Sequence, residues 1–251
     1  MSEMADKVRV VSLDVDVVEF RRLIERIDAL RADGGGYVCF STVHMVMESF
    51  DAPEYAEKVN SANIIVPDGM PLVWMQKIEG RRDAKRVRAN DLMIGLCRFA
   101  EEKGLSVGFY GASEAVIEGI KERAARDFPD LKVAYAYSPP FRPLTDEEDA
   151  EITAEIVENA PDFLFVGLGC PKQERWMNEH RPKLNTVMLG VGASFDFFAG
   201  NVAECPPWIG RLGLEWLFRL VQEPRRLWKR YLILNPRFAY RAALQAIAGR
   251  K

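Results

Sequence analysis

A short stretch in the second half of the chain combines a strand with groups that can bind an anion. Residues 163–166 form an apolar run of β-favouring side chains, typical of a strand buried on both faces. Gly167 and Gly169 follow, and glycine lets the backbone turn sharply and approach a ligand closely. The residues expected on the exposed first turn of the next helix are Lys172, Gln173 and Glu174. Because free N–H groups at a helix start favour negative charge, this stretch predicts a phosphate or carboxylate site.

A second candidate is the aspartate of a Pro-Asp-Gly turn. Asp68 follows the strand predicted at residues 63–66. In open α/β sheets, ligands bind at the carboxyl ends of the strands, and a carboxylate there can act as a general base. A purely conformational Asp-Gly turn explains the same residues equally well, so both interpretations stay open at this point.

Two glycine pairs match only part of a dinucleotide-binding fingerprint. After Gly167 and Gly169 the third glycine position holds Lys172, and after the pair that ends at Gly192 it holds Phe195. A nicotinamide-dependent oxidoreductase is therefore the weaker alternative. The four cysteines are widely scattered and there are only two histidines, which argues against a structural zinc site.

Charge is distributed unevenly along the chain. Ten basic and two acidic residues lie between positions 206 and 251, so this segment carries +8 and the remainder −11, for a net charge of −3. We expect no nucleic-acid partner, because the acidic body repels phosphate backbones and no nucleic-acid-binding motif accompanies the basic segment. The first residues lack a signal-peptide pattern, and no apolar run approaches the ~20 residues that span a bilayer. These features predict a cytoplasmic protein.

The elements that must position these residues alternate regularly. Strands are predicted at residues 8–13, 37–41, 63–66, 107–110, 131–136, 163–166 and 186–191, with a first helix over 17–31 and further helices between the later strands. Glycine turns close three of the strands. The pattern predicts an α/β fold with a doubly wound, mostly parallel Rossmann-like sheet and helices on both faces. We place the core at residues 1–203 and a helical, basic and aromatic appendage at 204–251.

Six motifs, in order, resemble those of the bacterial WecG/TagA/CpsF glycosyltransferases over about residues 8–231. They are VPDGMP (66–71), FYGAS (109–113), PPFRP (139–143), PDFLFVGLGCPKQE (161–174), GVGASFDFFAG (190–200) and GLEWLFRLVQEPRR (213–226). The resemblance implies an inverting hexosyltransferase. It would move a sugar, of the N-acetylmannosamine type or another hexose, from a UDP-sugar to an undecaprenyl-diphosphate-linked sugar acceptor. Such steps build surface polysaccharides such as exopolysaccharide or teichoic-acid linkage units. The donor sugar, the acceptor and the oligomeric state, a homo-oligomer included, stay open.

The resemblance also implies roles for individual positions. Asp68 falls on the family's proposed general base. Substrate-binding positions fall on Thr42, His44, Arg86 and Gln173, and the remaining pocket residues are expected to be Gly111, Gly167, Gly169, Lys172, Glu174 and Gly192. We expect Arg86 and Lys172 to supply positive potential for the leaving UDP, and Gln173 to face the transferred sugar. His44 stands where the family has asparagine and Ala89 where it has glycine, which puts hydrogen bonding at position 44, and with it sugar or acceptor specificity, in question.

The first acidic pair has two interpretations. Asp14 and Asp16 form an Asp-x-Asp, which holds a metal ion in many sugar-nucleotide transferases. A strand end followed by a helix N-cap explains the same residues, and we favour it. We therefore expect a metal-independent enzyme without a cofactor, in which helix N-termini and basic side chains meet the charge of the leaving group.

The basic C-terminal segment contains three of the five tryptophans, at positions 208, 216 and 228. One interpretation is a helical pair packed on the core with a solvated basic face. The other, which we favour given the lipid-linked acceptor, is an element that holds the enzyme on the inner face of an anionic membrane and partly covers the active site. The arginines expected to contact the membrane or the diphosphate are Arg219, Arg225, Arg226 and Arg230.

Overall fold

The computed structural model describes residues 6–211 and 213–248, with the side chains of residues 207, 211 and 226 excepted. The core begins with β1 (Lys7–Val10), β2 (Leu13–Asp16), α1 (Phe20–Ala32), β3 (Gly36–Ser41), α2 (Val43–Asp51), α3 (Pro53–Asn60), β4 (Ile64–Pro67) and α4 (Met70–Ile78). It continues with α5 (Ala89–Lys103), β5 (Ser106–Gly111), α6 (Glu114–Asp127), β6 (Lys132–Tyr137), α7 (Asp146–Asn159), β7 (Phe163–Gly167), α8 (Lys172–His180), β8 (Val187–Gly190) and α9 (Ser194–Phe198). The C-terminal segment comprises α10 (Pro207–Arg211), α11 (Glu215–Gln222), α12 (Pro224–Lys229), a π-helical turn (Arg230–Leu234) and α13 (Asn235–Ala248).

The central sheet has six strands in the order β4-β3-β8-β7-β5-β6, and every neighbouring pair is parallel. Successive side chains of a strand point to opposite faces, and both faces of β7 are apolar. Phe163 and Phe165 pack on the face covered by α1, α5, α6 and α9. Leu164 and Val166 pack on the other face, against helices that include α2, α3, α7 and α8. The predicted doubly wound α/β fold is confirmed.

The start of the chain differs from its prediction. Instead of one strand over residues 8–13, β1 and β2 form an antiparallel hairpin outside the main sheet. The turn passes through Val11, whose φ of +57° is rare for a β-branched residue. The first helix begins at Phe20 rather than near residue 17, and the side chain of Glu19 caps it by accepting from the Arg22 N–H.

The Asp-x-Asp pair lies in this hairpin, and neither of its aspartates caps the first helix. Asp14 pairs with Arg9 across the hairpin at 3.1 Å. Asp16 is fully buried and lies 2.8 Å from an Nη of Arg26. The other carboxylate oxygen of Asp16 accepts from the backbone N–H of Ile65, on the edge strand β4, at 2.8 Å. Asp16 does end a strand, β2, as the favoured interpretation holds, but Glu19 rather than an aspartate caps the first helix, and Asp16 joins the hairpin to the sheet.

In the part of the chain that the structure describes, the C-terminal segment packs on the core as α10 to α13 and a π-helical turn rather than as a helical pair. Phe238 and Ala242 on α13 are buried in the apolar cluster beneath α2 and α3. Gln245 then ties α13 to the hairpin: its Nε2 donates to the Arg9 carbonyl at 2.6 Å, and its Oε1 accepts from the Val11 N–H at 2.8 Å. The tail therefore runs back across the carboxyl end of the sheet before it docks.

Candidate active site

A cavity of about 810 Å³ opens at the carboxyl ends of the parallel strands. Core residues that line it include Thr42, His44, Glu48, Asp68, Arg88, Asn90, Ser113, Gly167, Gly169, Gln173, Gly190, Gly192 and Asp196. The C-terminal segment contributes Glu215, Arg219, Leu227, Lys229, Arg230, Ile233 and Leu234. The volume falls in the range of ligand sites, and the position matches the ligand-binding edge of open α/β sheets. Core and tail together therefore enclose the candidate site.

Asp68 lies at one corner of the cavity, directly after β4. Its carboxylate is 22% exposed and lies 3.4 Å from an Nη of Arg86. The same Nη lies 2.8 Å from the carboxylate of Glu215, at the start of α11. Arg88 is also close, with its Nε 3.8 Å from that carboxylate. We call Asp68, Arg86, Arg88 and Glu215 the charged corner.

Burial is the main cause of an altered ionisation at this corner. It raises the pKa of Asp68, and the negative charge of Glu215 acts in the same direction, whereas Arg86 and Arg88 oppose the rise. A carboxylate with a raised pKa is a stronger base than a free one. The corner thus contains a group suited to accept a proton from a bound hydroxyl.

Another part of the cavity lining, at the ends of β7 and β8, is made of backbone and amide groups, and we call Gly167, Gly169, Gln173 and Gly190 the glycine wall. A Cβ on Gly167 would lie 2.4 Å from the ring of Phe195, which is fully buried. Only glycine therefore allows β7 and the residues after it to approach this ring. Gly169 has a φ of +80° with open space around it, so its requirement is conformational.

Gln173 fixes the shape of the glycine wall. Its Oε1 accepts from the Gly169 N–H at 3.1 Å, and its Nε2 donates to the Gly190 carbonyl at 2.9 Å. The Nε2 also donates to Glu174 at 2.7 Å. The amide of Gln173 thus clamps the loop after β7 to the end of β8.

The predicted exposure of this first helical turn was wrong for two of its three residues. Gln173 is 4% exposed and Glu174 is fully buried, while Lys172 is exposed. Glu174 accepts from the hydroxyl of Tyr55 at 2.9 Å, and burial raises the pKa of its carboxyl group. The turn faces the core because α8 packs against α3 and β8, which pattern reasoning on the turn alone did not anticipate.

A third group of side chains lies where α2 begins. The Nη of Arg230 donates to the hydroxyl of Thr42 at 3.3 Å, which joins the π-helical turn to the core. The Nε2 of His44 lies 3.3 Å from Glu48, one turn further along the helix. Burial and the nearby positive charge of Arg230 lower the pKa of His44 to about 4, so this imidazole is neutral at physiological pH.

The structure brings most of the predicted site residues together. Those that line the cavity are Thr42, His44, Asp68, Gly167, Gly169, Gln173, Gly192, Arg219 and Arg230. Those outside its lining are Arg86, Gly111, Lys172, Glu174 and Arg225. Of these, Arg86 contacts Asp68 directly, and Gly111 packs on the backbone of Gly167. The side chain of Arg226 lies outside the described part of the structure.

Glu215 is a site residue that sequence reasoning missed. It belongs to the strongly basic C-terminal segment, in which Glu215 and Glu223 are the two acidic residues. That contrast was the available signal, because an acidic residue in a strongly basic segment is a candidate for an ion pair. Local patterns could not show that its partners are Arg86 and Arg88, more than a hundred positions earlier in the chain.

Across 6–211 and 213–248, no three His, Cys, Asp or Glu side chains are grouped as a metal site requires. Among the same residues, no helix combines the length and apolarity needed to cross a membrane.

Comparison with known proteins points to the same family as the six sequence motifs. The profile of the glycosyl transferase WecG/TagA/CpsF family matches residues 8–251. An N-acetylglucosaminyldiphosphoundecaprenol N-acetyl-beta-D-mannosaminyltransferase of Bacillus spizizenii is 35% identical over 199 residues, which cover 79% of this chain and 75% of that protein. The Bacillus subtilis protein of the same name is 36% identical over 190 residues, 74% of this chain and 70% of its own. The Staphylococcus aureus (strain MW2) counterpart is 27% identical over 241 residues, 94% of this chain and 92% of its own.

Proposed function

The chain belongs to the WecG/TagA/CpsF family of glycosyl transferases, and we propose that it moves an N-acetylmannosamine-type sugar from a UDP-sugar to an undecaprenyl-diphosphate-linked sugar. The activity for which three relatives are named supports the N-acetylmannosaminyl group and the polyprenyl-linked N-acetylglucosamine acceptor. The size of the cavity, about 810 Å³, is compatible with a nucleotide sugar. Transfer with inversion of the anomeric carbon would form a link in a surface polysaccharide.

The observation that carries the proposal is Asp68 at the corner of this cavity. Inverting transfer needs a base that takes the proton of the acceptor hydroxyl while the new C–O bond forms. Asp68 is a partly exposed carboxylate that lines the cavity, and its pKa is raised by burial. Both features suit a general base, which typically contributes about 10²–10⁴-fold to the rate.

The leaving UDP requires positive potential, and the tail and a helix N-terminus are better placed to supply it than Arg86 and Lys172. Arg86 is paired with two carboxylates, and Lys172 does not line the cavity. The cationic groups that line it from the tail are Arg219, Lys229 and Arg230. Ser113, the N-cap of the long helix α6, lies on the same cavity, where backbone N–H groups favour an anion. We assign the diphosphate to these groups.

The same reaction can proceed without a metal ion, because the arginines, the lysine and the α6 N-terminus can together meet the charge on the diphosphate. Activity that persists in excess EDTA supports this part of the proposal. Activity that is lost in EDTA and restored by Mn²⁺ would contradict it.

The tail is suited to a position on the inner face of the cytoplasmic membrane. Exposed apolar side chains on α10, α11 and the π-helical turn include Trp208, Val221 and Leu232, which are 63%, 75% and 60% exposed. Arg225 and Lys229 are exposed on α12 between them. Apolar and basic groups side by side favour an anionic lipid surface. Flotation with anionic but not with zwitterionic vesicles would support this location. The absence of flotation with anionic vesicles would contradict it.

Asp68→Asn tests the function as a whole. With an N-acetylglucosaminyl-diphosphate-polyprenyl acceptor and a panel of UDP-sugars, we expect turnover with the preferred donor to fall about 10²–10⁴-fold, because the amide cannot accept the proton. Stabilisation by UDP in a thermal melt should persist in the variant, since Asp68 is not assigned to the diphosphate.

Asp91→Asn is the matched control for this experiment. Asp91 pairs with Arg88 at 3.4 Å but does not line the cavity, so its variant should keep most of the turnover. Near-normal turnover of Asp68→Asn would show that the base is assigned wrongly. No transfer from any UDP-sugar by the wild type would reject the donor class.

A further inference from the structure

Glu215 places a tail carboxylate beside the proposed base. It lies in the first turn of α11, and its side chain is 17% exposed. Its Oε2 lies 2.8 Å from the Arg86 Nη that also faces Asp68, and 3.8 Å from Nε of Arg88. The tail therefore reaches the reacting corner of the cavity through an acidic residue.

Arg86 divides its hydrogen bonds between two partners. Its Nε donates to the backbone carbonyl of Asp68, which holds the guanidinium in place independently of the carboxylates. Its Nη2 lies closer to Glu215, at 2.8 Å, than to the carboxylate of Asp68, at 3.4 Å. Because ion-pair strength falls with distance, Glu215 takes the larger share of this cation.

Arg88 does not offset that competition, because it has acidic partners of its own. Its guanidinium lies 3.2 Å from Glu204 and 3.4 Å from Asp91. Around the corner, the four carboxylates of Asp68, Asp91, Glu204 and Glu215 therefore face the two guanidiniums of Arg86 and Arg88. An excess of negative charge of this kind favours protonation, and the pKa values of Asp68 and Asp91 are both raised.

We propose that Glu215 is a positioning residue that draws Arg86 away from Asp68 and so keeps the Asp68 carboxylate able to accept the proton of the acceptor hydroxyl. The inference rests on the proposed function. In the step concerned, the hydroxyl proton passes to Asp68 as the acceptor oxygen bonds to the anomeric carbon. The bond from that carbon to the phosphate oxygen breaks, and its electron pair leaves with UDP.

The electrostatics of the corner agree with this role. The negative charge of Glu215 contributes to the raised pKa of Asp68, while Arg86 and Arg88 act against it. The other ionisable side chains that line the cavity are His44, Glu48, Cys170, Asp196, Arg219, Lys229 and Arg230. Without Glu215, Arg86 could pair fully with Asp68 and make it a weaker base. The strength of the base thus depends on the docked tail.

The test is the pH dependence of kcat/KM for Glu215→Gln, which keeps the shape of the side chain and removes its charge. The apparent pKa of the acid limb should fall by about one unit, the lower end of the effect of a neighbouring charge. The plateau rate should fall about three- to tenfold because the base is weaker. Circular dichroism and a thermal melt establish that the variant is folded.

Glu204→Gln is the matched control. Glu204 joins the tail to Arg88 and Asn90 at 3.2 and 2.8 Å but does not contact Arg86. Its variant loosens the same junction but leaves Glu215 on Arg86, so the acid limb should shift by much less than in Glu215→Gln. An unchanged acid limb in Glu215→Gln, or an equal shift in both variants, would overturn the proposal.

Glu215→Asp keeps the test decisive if Glu215→Gln does not fold. The shorter side chain withdraws the carboxylate from Arg86, so the acid limb should shift in the same direction by less, and an unchanged or raised pKa would overturn the inference. Asp68→Asn separates this result from the proposed function. If Asp68→Asn is inactive while Glu215→Gln keeps the wild-type profile, only the role of Glu215 fails.

Discussion

The glycine wall and the charged corner border the same cavity and are built by opposite means. The wall consists of backbone groups and one amide, and its hydrogen bonds lie within the core. The corner consists of two carboxylates and two guanidiniums, and one of its carboxylates comes from the tail. The wall is thus complete once the core folds, whereas the corner is complete only when the tail docks.

This difference separates folding from chemistry. A substitution in the wall clashes with buried backbone or leaves a buried polar group without its hydrogen bond. Its main effect is therefore a lower free energy of unfolding. A substitution in the corner removes partly exposed ion pairs, which contribute little to that free energy. It does change the charge beside the reacting hydroxyl. The following predictions test this separation.

Gly111→Ala should give the largest effect on stability. Gly111 has a φ of +126°, and an added Cβ would lie 2.6 Å from the backbone carbon of Gly167. Overpacking costs roughly 1–3 kcal/mol and left-handed strain roughly 1–2 kcal/mol, so we expect a loss of about 2–5 kcal/mol in urea unfolding. Gly169→Ala is the control: its φ is +80° with open space, so only about 1–2 kcal/mol should be lost. Equal losses would show that the backbone contact beneath the wall is unimportant.

Glu174→Gln should alter how stability depends on pH. Burial raises the pKa of Glu174 above its ordinary value of 4.5, so the folded state binds this proton more tightly than the unfolded state. The free energy of unfolding of the wild type, relative to the variant, should therefore decrease as pH rises from about 4.5 through the raised pKa. Urea titrations between pH 5 and pH 8 measure the difference, and a constant difference would contradict the prediction.

Tyr55→Phe provides an opposite variant for the same experiment. The hydroxyl of Tyr55 donates to Glu174 and lowers the pKa of its carboxyl group. Without that donor the pKa should rise further, so the loss of stability between pH 5 and pH 8 should be steeper than in the wild type. A shallower dependence would show that the hydroxyl does not stabilise the carboxylate.

Glu204→Gln should give the smallest effect on stability. Its carboxylate is 39% exposed, and it pairs with Arg88 at 3.2 Å, beside the charged corner. Exposed pairs of this kind contribute about 0–1 kcal/mol, and salt screens them. The difference from the wild type should therefore shrink further in 1 M NaCl. A loss above about 2 kcal/mol would show that the tail and the core fold as one tightly coupled unit.

Much of the fold could be predicted because buried parallel strands leave a clear pattern. The apolar run at residues 163–166 became β7, and the glycine turns closed the strands that they were expected to close. Thr145 and Glu148 have the sequence spacing of a capping box, and that box is present at the start of α7. These features depend on neighbouring residues, so local physical chemistry was sufficient.

The hairpin could not be predicted by the same reasoning. Its turn uses Val11 and Ser12 instead of the glycine, asparagine or aspartate that usually mark tight turns. Val11 is held there by the hydrogen bond from its N–H to Gln245, from the other end of the chain. Tertiary contacts thus overrode the local preference, and the sequence around the turn contained no sign of it.

The candidate site, like the fold, could be predicted where it depends on local sequence and not where it depends on packing between distant elements. Asp68 and Gln173 line the cavity, as their positions after two parallel strands indicated. The burial of Glu174 and the approach of Glu215 to Arg86 depend on how separate elements pack. A sequence pattern indicates which residues follow a strand, but it does not indicate which distant side chain will share a guanidinium with them.

The hairpin also affects the tendency of the protein to aggregate. β4 lies at the edge of the sheet, and an edge strand with free backbone N–H groups can recruit a strand of another molecule. Here the Ile65 N–H is already taken by the buried carboxylate of Asp16. An added strand would have to displace that carboxylate and break its ion pair with Arg26. Asp16 thus protects this edge against aggregation. We expect Asp16→Ala to scatter more light than the wild type on heating, already at temperatures below the melting temperature of the variant.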